Sequence, residues 1–143
     1  MNYILGFLLL VLSLVTQSCG GNDSSASPTT ITYAFRLHGL PASEEFYCTT
    51  SSQAFIAVAR DQLRLPEEQR TLFPIGPIAA GNGGYNLNWS WRFTDATLAE
   101  TATEVCDGRP SWVESDLNYW LGTVGNFCPF SAYVYSEVNK KSN

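Results

Sequence analysis

The chain has 143 residues, a formal net charge of −5 and a sequence pI of about 4.7. Its eight basic residues are scattered, apart from Lys140 and Lys141 in the tail, so no basic patch is available to neutralise phosphates, and nucleic acid is excluded as a partner. Four cysteines suit an oxidising compartment, and a hydrophobic share of 45% is enough for one buried core.

Residues 1–18 read as an export leader. The run 4–15 is almost wholly apolar, too short to span a bilayer comfortably and of the length of a signal-peptide core. No Lys or Arg precedes it, so only the α-amino group supplies a positive end. Gln17-Ser18-Cys19-Gly20-Gly21 comes next, followed by a small, polar run to Thr30. This resembles the lipobox and tether of bacterial lipoproteins, in which the cysteine is lipidated and becomes the mature N-terminus, although Thr16 stands where that motif usually carries Leu. Two readings stay open: lipidation at Cys19 with residues 19–30 as a disordered tether, or ordinary signal cleavage nearby. Residues 31–138 are then a single globular domain and 139–143 a polar tail.

Ile31, Tyr33, Phe35 and Leu37 alternate with Thr32, Ala34, Arg36 and His38, the period of a strand that Gly39 and Pro41 end. Residues 43–49 read as a connection with strand character at Phe46 and Tyr47. Thr50 and Gln53 have capping-box spacing, and Phe55, Ile56, Ala59, Gln62 and Leu63 share one helical face, which predicts a helix over about 51–65, stopped by Pro66. After a polar turn at 67–70, residues 72–80 form a second strand. Its Pro74 and Pro77 cannot donate to a ladder, which predicts an edge position or bulges.

Gly81-Asn82-Gly83-Gly84 can reverse the chain into a hairpin. The second arm is the most sharply patterned stretch: Tyr85, Leu87, Trp89, Trp91 and Phe93 alternate with Asn86, Asn88, Ser90 and Arg92. Its large aromatic groups can each remove about 150–250 Å² from water. The amide, hydroxyl and guanidinium face opposite is either solvated or a contact surface. Residues 94–100 read as a connection with room for one helical turn, 101–106 as a short strand, and Asp107-Gly108-Arg109-Pro110 as a break. Ser111 with Glu114 again has capping-box spacing, Val113, Leu117, Trp120 and Leu121 make an apolar stripe, and Gly122 suits the C-terminal cap. A last strand covers about 130–138. The expected class is α+β: a mainly antiparallel sheet of about five strands with two helices on one face, a variation on the ferredoxin-like arrangement being one form of it.

If Cys19 carries lipid, three cysteines remain and cannot all pair. Cys106 with Cys128 is preferred, because the two flank the second helix and close a loop worth about 3 kcal/mol in chain entropy. Cys48 is then a buried free thiol, whereas an unlipidated Cys19 could reach it.

Candidate chemistry is sparse. His38 is the single histidine, has no motif around it, and reads as a surface or structural residue ahead of a catalytic one. Paired Cys or His spacing for zinc is absent, and neither metal nor cofactor is expected. Glu100, Glu104, Asp107, Glu114 and Asp116 concentrate acidity, as a solvated edge, a cation or basic-ligand site, or a carboxylate pair for hydrolysis. Trp89, Trp91 and Trp120 fall in core phase, whereas Trp112 and Tyr119 lie off the apolar stripe and are expected to be exposed. The glycine-rich turn lacks a following helix and is not a phosphate loop.

Gly84-Tyr85-Asn86 with Trp89-Ser90-Trp91, then Glu104-Val105-Cys106-Asp107-Gly108 with Pro110 and Val113-Glu114, then Phe127-Cys128-Pro129-Phe130, resembles the small exported bacterial proteins called BP-seventy-four-related. The resemblance spans residues 33–138 and carries a cysteine at both Cys106 and Cys128, which supports their pairing. Phe130 stands where that pattern often has Trp, and Cys48 is not part of it. The family takes its name from a calmodulin-binding protein, a label that does not transfer. Calmodulin targets are basic amphipathic helices, and both predicted helices here have mixed or acidic polar faces.

The combined reading is an exported, lipid-anchored, non-enzymatic binding module for a protein, peptide or glycan, meeting the membrane only through its lipid. Its contact region is the face of Asn86, Asn88, Ser90 and Arg92, or the corner of Glu104 and Asp107 with Trp112. The alternatives are a protease-inhibitor-like domain presenting the turn near Asn82, a small hydrolase using Glu104 and Asp107, and a structural envelope protein. A deep cleft with converging carboxylates favours the enzyme, and a shallow polar face bordered by exposed Trp112 or Tyr119 favours binding.

Overall fold

The computed structural model describes residues 29–102 and 105–138; the expected leader, Cys19, the tether to residue 28, Glu104 and the tail from residue 139 lie outside the described residues. Alternation places Tyr33, Phe35 and Leu37 of β1 (Ile31–Leu37) in the core. This strand lies between β2 (Phe46–Thr50) and β7 (Ala132–Val138), antiparallel to both, with a bulge opposite Ala34 and Phe35. On the other face Arg36 pairs with Glu45 at 2.7 Å and lies 3.5 Å over the Tyr135 ring.

The second sheet is built around β3 (Phe73–Ala80), which pairs with β4 (Trp91–Phe93), β5 (Thr97–Ala99) and β6 (Asn126–Phe127). Despite its two prolines β3 is therefore a central strand, not an edge. The register shows how. Ile78 faces Phe93 and Ile75 faces Thr97, so three residues, Thr94 to Ala96, stand opposite two, Gly76 and Pro77. That is a bulge, and it bends the ladder where Pro77 cannot donate. Gly76 is needed there for space: a Cβ would sit 2.0 Å from the Asp95 carbonyl oxygen.

The expected long strand over 85–93 is corrected to three residues of strand after a loop. Residues 81–90 fold into turns, with the Asn86 and Tyr85 amides donating to Asn82 O and the Trp89 amide to Asn86 O. Gly81, Gly83 and Gly84 have positive φ, the conformation that keeps the loop from extending. Asn86 is fully buried: its Oδ1 accepts from the Tyr47 amide at 2.9 Å and its Nδ2 donates to Trp91 O at 2.8 Å. Its side chain thus satisfies the free edges of β2 and β4 as a neighbouring strand would. Leu87, expected in the core, is 70% exposed.

Helix α1 (Gln53–Leu63) is capped by Ser52, whose Oγ accepts from Phe55 N, in place of the expected Thr50 box. It buries Phe55, Ile56 and Ala59. The second helical stretch is broken into α2 (Pro110–Ser115), α3 (Leu117–Tyr119) and a π-turn over Trp120–Val124, closed by Gly125 at φ 74° instead of Gly122. The Ser111 and Glu114 box does not form, because Ser111 bonds Glu44 and Glu114 accepts from Ser90 N. α1 packs on β7 and β5, whereas the π-turn packs on β3 and β6.

The class is α+β with antiparallel sheets, as expected, but the strands divide into sheets of three and four instead of one sheet of about five, and the helices do not share a face. The ferredoxin-like order does not occur, since β1 and β2 pair directly with the helix after them, not between them. Phe46, Trp91, Phe93 and Phe127 meet between the sheets at centroid distances of 5.1–6.1 Å, the contacts that hold the two together. Cys106 and Cys128 form a disulfide, and Cys48 is a buried free thiol.

Candidate functional site

A shallow cleft of about 280 Å³ opens where β1 ends and β7 begins, lined by His38, Leu40, Asp107, Gly108, Arg109, Trp112 and Ser131. Its walls come from distant parts of the sequence and are tied by local bonds. His38 N donates to Ser131 O at 2.9 Å, continuing the β1–β7 ladder. The disulfide, with Cys128 N donating to Cys106 O at 2.9 Å, holds the 106–110 segment against 128–131. Asp107 Oδ1 accepts from both Gly108 N and Phe130 N, each at 2.9 Å. Gly108 lies against Trp120, where a Cβ would come within 2.9 Å of the indole.

Pro110 opens α2 at the position where its missing N–H costs nothing. At the next residue Glu44 fixes the helix from outside, accepting from Ser111 N at 3.0 Å and from Ser111 Oγ at 2.7 Å. Trp112, off the apolar stripe, is 53% exposed, as the helical phase predicts. The Arg109 guanidinium lies 5.2 Å from its ring centroid. Arg36, Arg60, Arg64, Arg70 and Arg92 all donate to carboxylate or carbonyl oxygens, so among the described residues Arg109 is the arginine left without an oxygen partner.

Opposite, His38 stacks on Tyr133 at 4.1 Å and its Nε2 donates to Arg70 O at 3.0 Å, the tautomer in which Nδ1 of the neutral ring is the acceptor. The Tyr133 hydroxyl, pushed up to about 12 by burial and by its bond to Glu67, is a neutral donor. The cleft is therefore rigid, polar and shallow, with one aromatic face, one cation and one carboxylate. Asp107 is that carboxylate, and among the described residues no second one lines the cleft; Glu104, expected to act with it, lies outside them.

The remaining expected contact residues are dispersed. Asn86 is buried and structural, which removes it from any surface. Asn88 is exposed in a separate groove of about 350 Å³ with Tyr47, Tyr85, Leu87 and Val138. Ser90 holds Glu114 through its amide, and Arg92 is spent on the carbonyls of Ala80 and Gly81. Asp116 accepts from Tyr119 N, so the acidic run is used largely for backbone amides. Glu104 lies outside the described residues, and among those described no group of three metal-ligating side chains occurs.

Tyr119, 50% exposed, lines a further cleft with Val105, Thr123 and Val124. Of the residues lining the cleft, Asp107 and Trp112 were among the expected contact residues, and Arg109 and Ser131 were not.

A family model, the BP-seventy-four N-terminal domain, matches residues 30–141. No curated protein and no solved structure shows significant similarity to the chain.

Proposed function

We propose that this chain, which belongs to the BP-seventy-four N-terminal domain family, is a non-enzymatic, exported binding module whose contact surface is the Trp112 cleft. The observation that carries this reading is the half-exposed Trp112 ring beside Arg109, held on a segment that the disulfide and Asp107 keep fixed. A large aromatic side chain left in water on a rigid support costs hydrophobic free energy that a ligand recovers, and preorganisation lowers the entropy lost on binding. Asp107 already accepts two backbone amides through Oδ1, a positioning use of this carboxylate that supports binding over hydrolysis.

Export is supported by the apolar leader and by a disulfide that an oxidising compartment maintains. Envelope anchoring is proposed through lipid on Cys19, and intact mass of protein expressed with its own leader reads the diacyl or triacyl addition directly.

The contact surface is tested by screening the mature protein and W112A side by side on immobilised peptides and glycans. Ligands captured by the native protein should be lost or weakened at least about fivefold by W112A, in line with ~1–3 kcal/mol for a stacked aromatic contact. Equal capture by the two proteins refutes the assignment of the cleft.

A further inference from the structure

Building on the Trp112 cleft as the contact surface, we infer that its ligand is a saccharide that carries a carboxylate, a hexuronate-type sugar. Arg109 is the starting point. Every other arginine among the described residues is committed to a protein oxygen, and this one rests only on an aromatic face. With its central carbon 5.2 Å from the Trp112 ring centroid and no oxygen partner among the described residues, the Arg109 guanidinium keeps its N–H donors available, and its planar fork pairs bidentately with a carboxylate.

A dianion such as a phosphate group is disfavoured, because Asp107 lines the same cleft and the chain as a whole carries −5. The rest of the lining calls for hydroxyl partners. Asp107 Oδ2, Ser131 Oγ and His38 Nδ1 carry no bond among the described residues and supply two acceptors and a hydroxyl that both donates and accepts. Trp112 offers the flat apolar surface on which the C–H face of a pyranose ring stacks. A peptide terminus would present the same carboxylate but would also need apolar pockets for its side chains, and among the described residues Leu40 is the one aliphatic side chain in the lining.

The test is calorimetric titration of the intact mature protein with galacturonate, which carries a single carboxylate, and with its methyl ester, which keeps the ring and removes the charge. R109Q, R109K and W112A are titrated alongside, with near-UV circular dichroism to establish that each is folded. The acid form should bind, the ester at least tenfold more weakly, and R109Q should lose about the same factor for the acid alone, consistent with ~1.5–3 kcal/mol for a charge-assisted bond. R109K should fall between, because lysine keeps the charge without the fork.

Failure of the acid sugar to bind, or equal binding of acid and ester, overturns the inference and leaves the binding module standing. Arg109-dependent capture of peptides with a free C-terminus, without capture of uronate, overturns it in favour of a peptide. Undiminished uronate binding by folded W112A overturns both the inference and the cleft.

Discussion

Replacing Asn86 with alanine separates a structural amide from a ligand contact. The side chain is fully buried and makes two bonds, accepting from Tyr47 N at 2.9 Å and donating to Trp91 O at 2.8 Å. Alanine leaves a backbone donor on β2 and a backbone acceptor on β4 without partners, and each costs ~1–3 kcal/mol when it stays buried. The expected loss is therefore ~2–6 kcal/mol, a large share of the ~5–15 kcal/mol that holds a domain of this size folded. N86D is the sharper variant. It keeps the acceptor for Tyr47 N but turns a carboxylate oxygen toward Trp91 O, so it should cost at least as much as N86A despite near-identical shape. Urea unfolding monitored by tryptophan emission reads both, at unchanged m-value. A midpoint within ~0.5 kcal/mol of the native protein for N86A would show that the loop does not depend on this amide.

Two glycines should respond in opposite ways. G76A drives a Cβ to 2.0 Å from the Asp95 carbonyl and 3.0 Å from Ala96 Cα, both backbone, and should cost ~1–3 kcal/mol or more, whereas G122A meets open space at an ordinary φ and should be neutral or gain ~0.5–1 kcal/mol. Denaturant midpoints for the pair decide it, and equal effects would refute the steric account of the bulge. Opening the Cys106–Cys128 bond, which closes a sequence separation of 22, should remove about 3 kcal/mol, seen as a lower Tm in reductant, and should weaken any ligand of the Trp112 cleft. Above neutral pH, burial pushes the Cys48 thiol up from 9.0 to about 12, with Asp95 adding to it, and burial with Glu137 pushes the Tyr33 phenol up from 10.0 to about 12. The folded chain then retains protons that the unfolded chain releases, so stability is full below about pH 9 and declines from there toward about pH 12. A urea midpoint that stays level across that interval counts against the burial of both groups.

The parts of the fold legible in the sequence are those where a single local rule decides the outcome. The first strand, the last strand and α1 follow from unbroken periodicity, and exposed Trp112 follows from its phase on a short helix. The run from Tyr85 to Phe93 misled because alternation of large and polar residues is necessary for a strand but does not make one. Trp89 still packs, its Nε1 donating to Glu45 O, and Tyr85 still bonds Phe93 O, but both do so from turns. The positive-φ glycines and an asparagine able to stand in for backbone were the contrary signal. β5 is three residues long, below what a pattern can specify, and the central place of β3 depends on a bulge two segments away. Arg109 could not be singled out in advance, because its lack of an oxygen partner becomes evident only when every other guanidinium has been placed.

The antiparallel pairing of β1 with β7 sets which way the domain faces. Thr32 lies beside Val138 at one end of this ladder, so both ends of the described chain leave there, while His38 and Ser131 meet at the other. Seven residues of strand separate the two ends by roughly 20 Å. A chain tethered through Cys19 would therefore stand like a post, with its attachment at the foot and the Trp112 cleft at the head. Ligands would arrive from the medium without first passing the membrane.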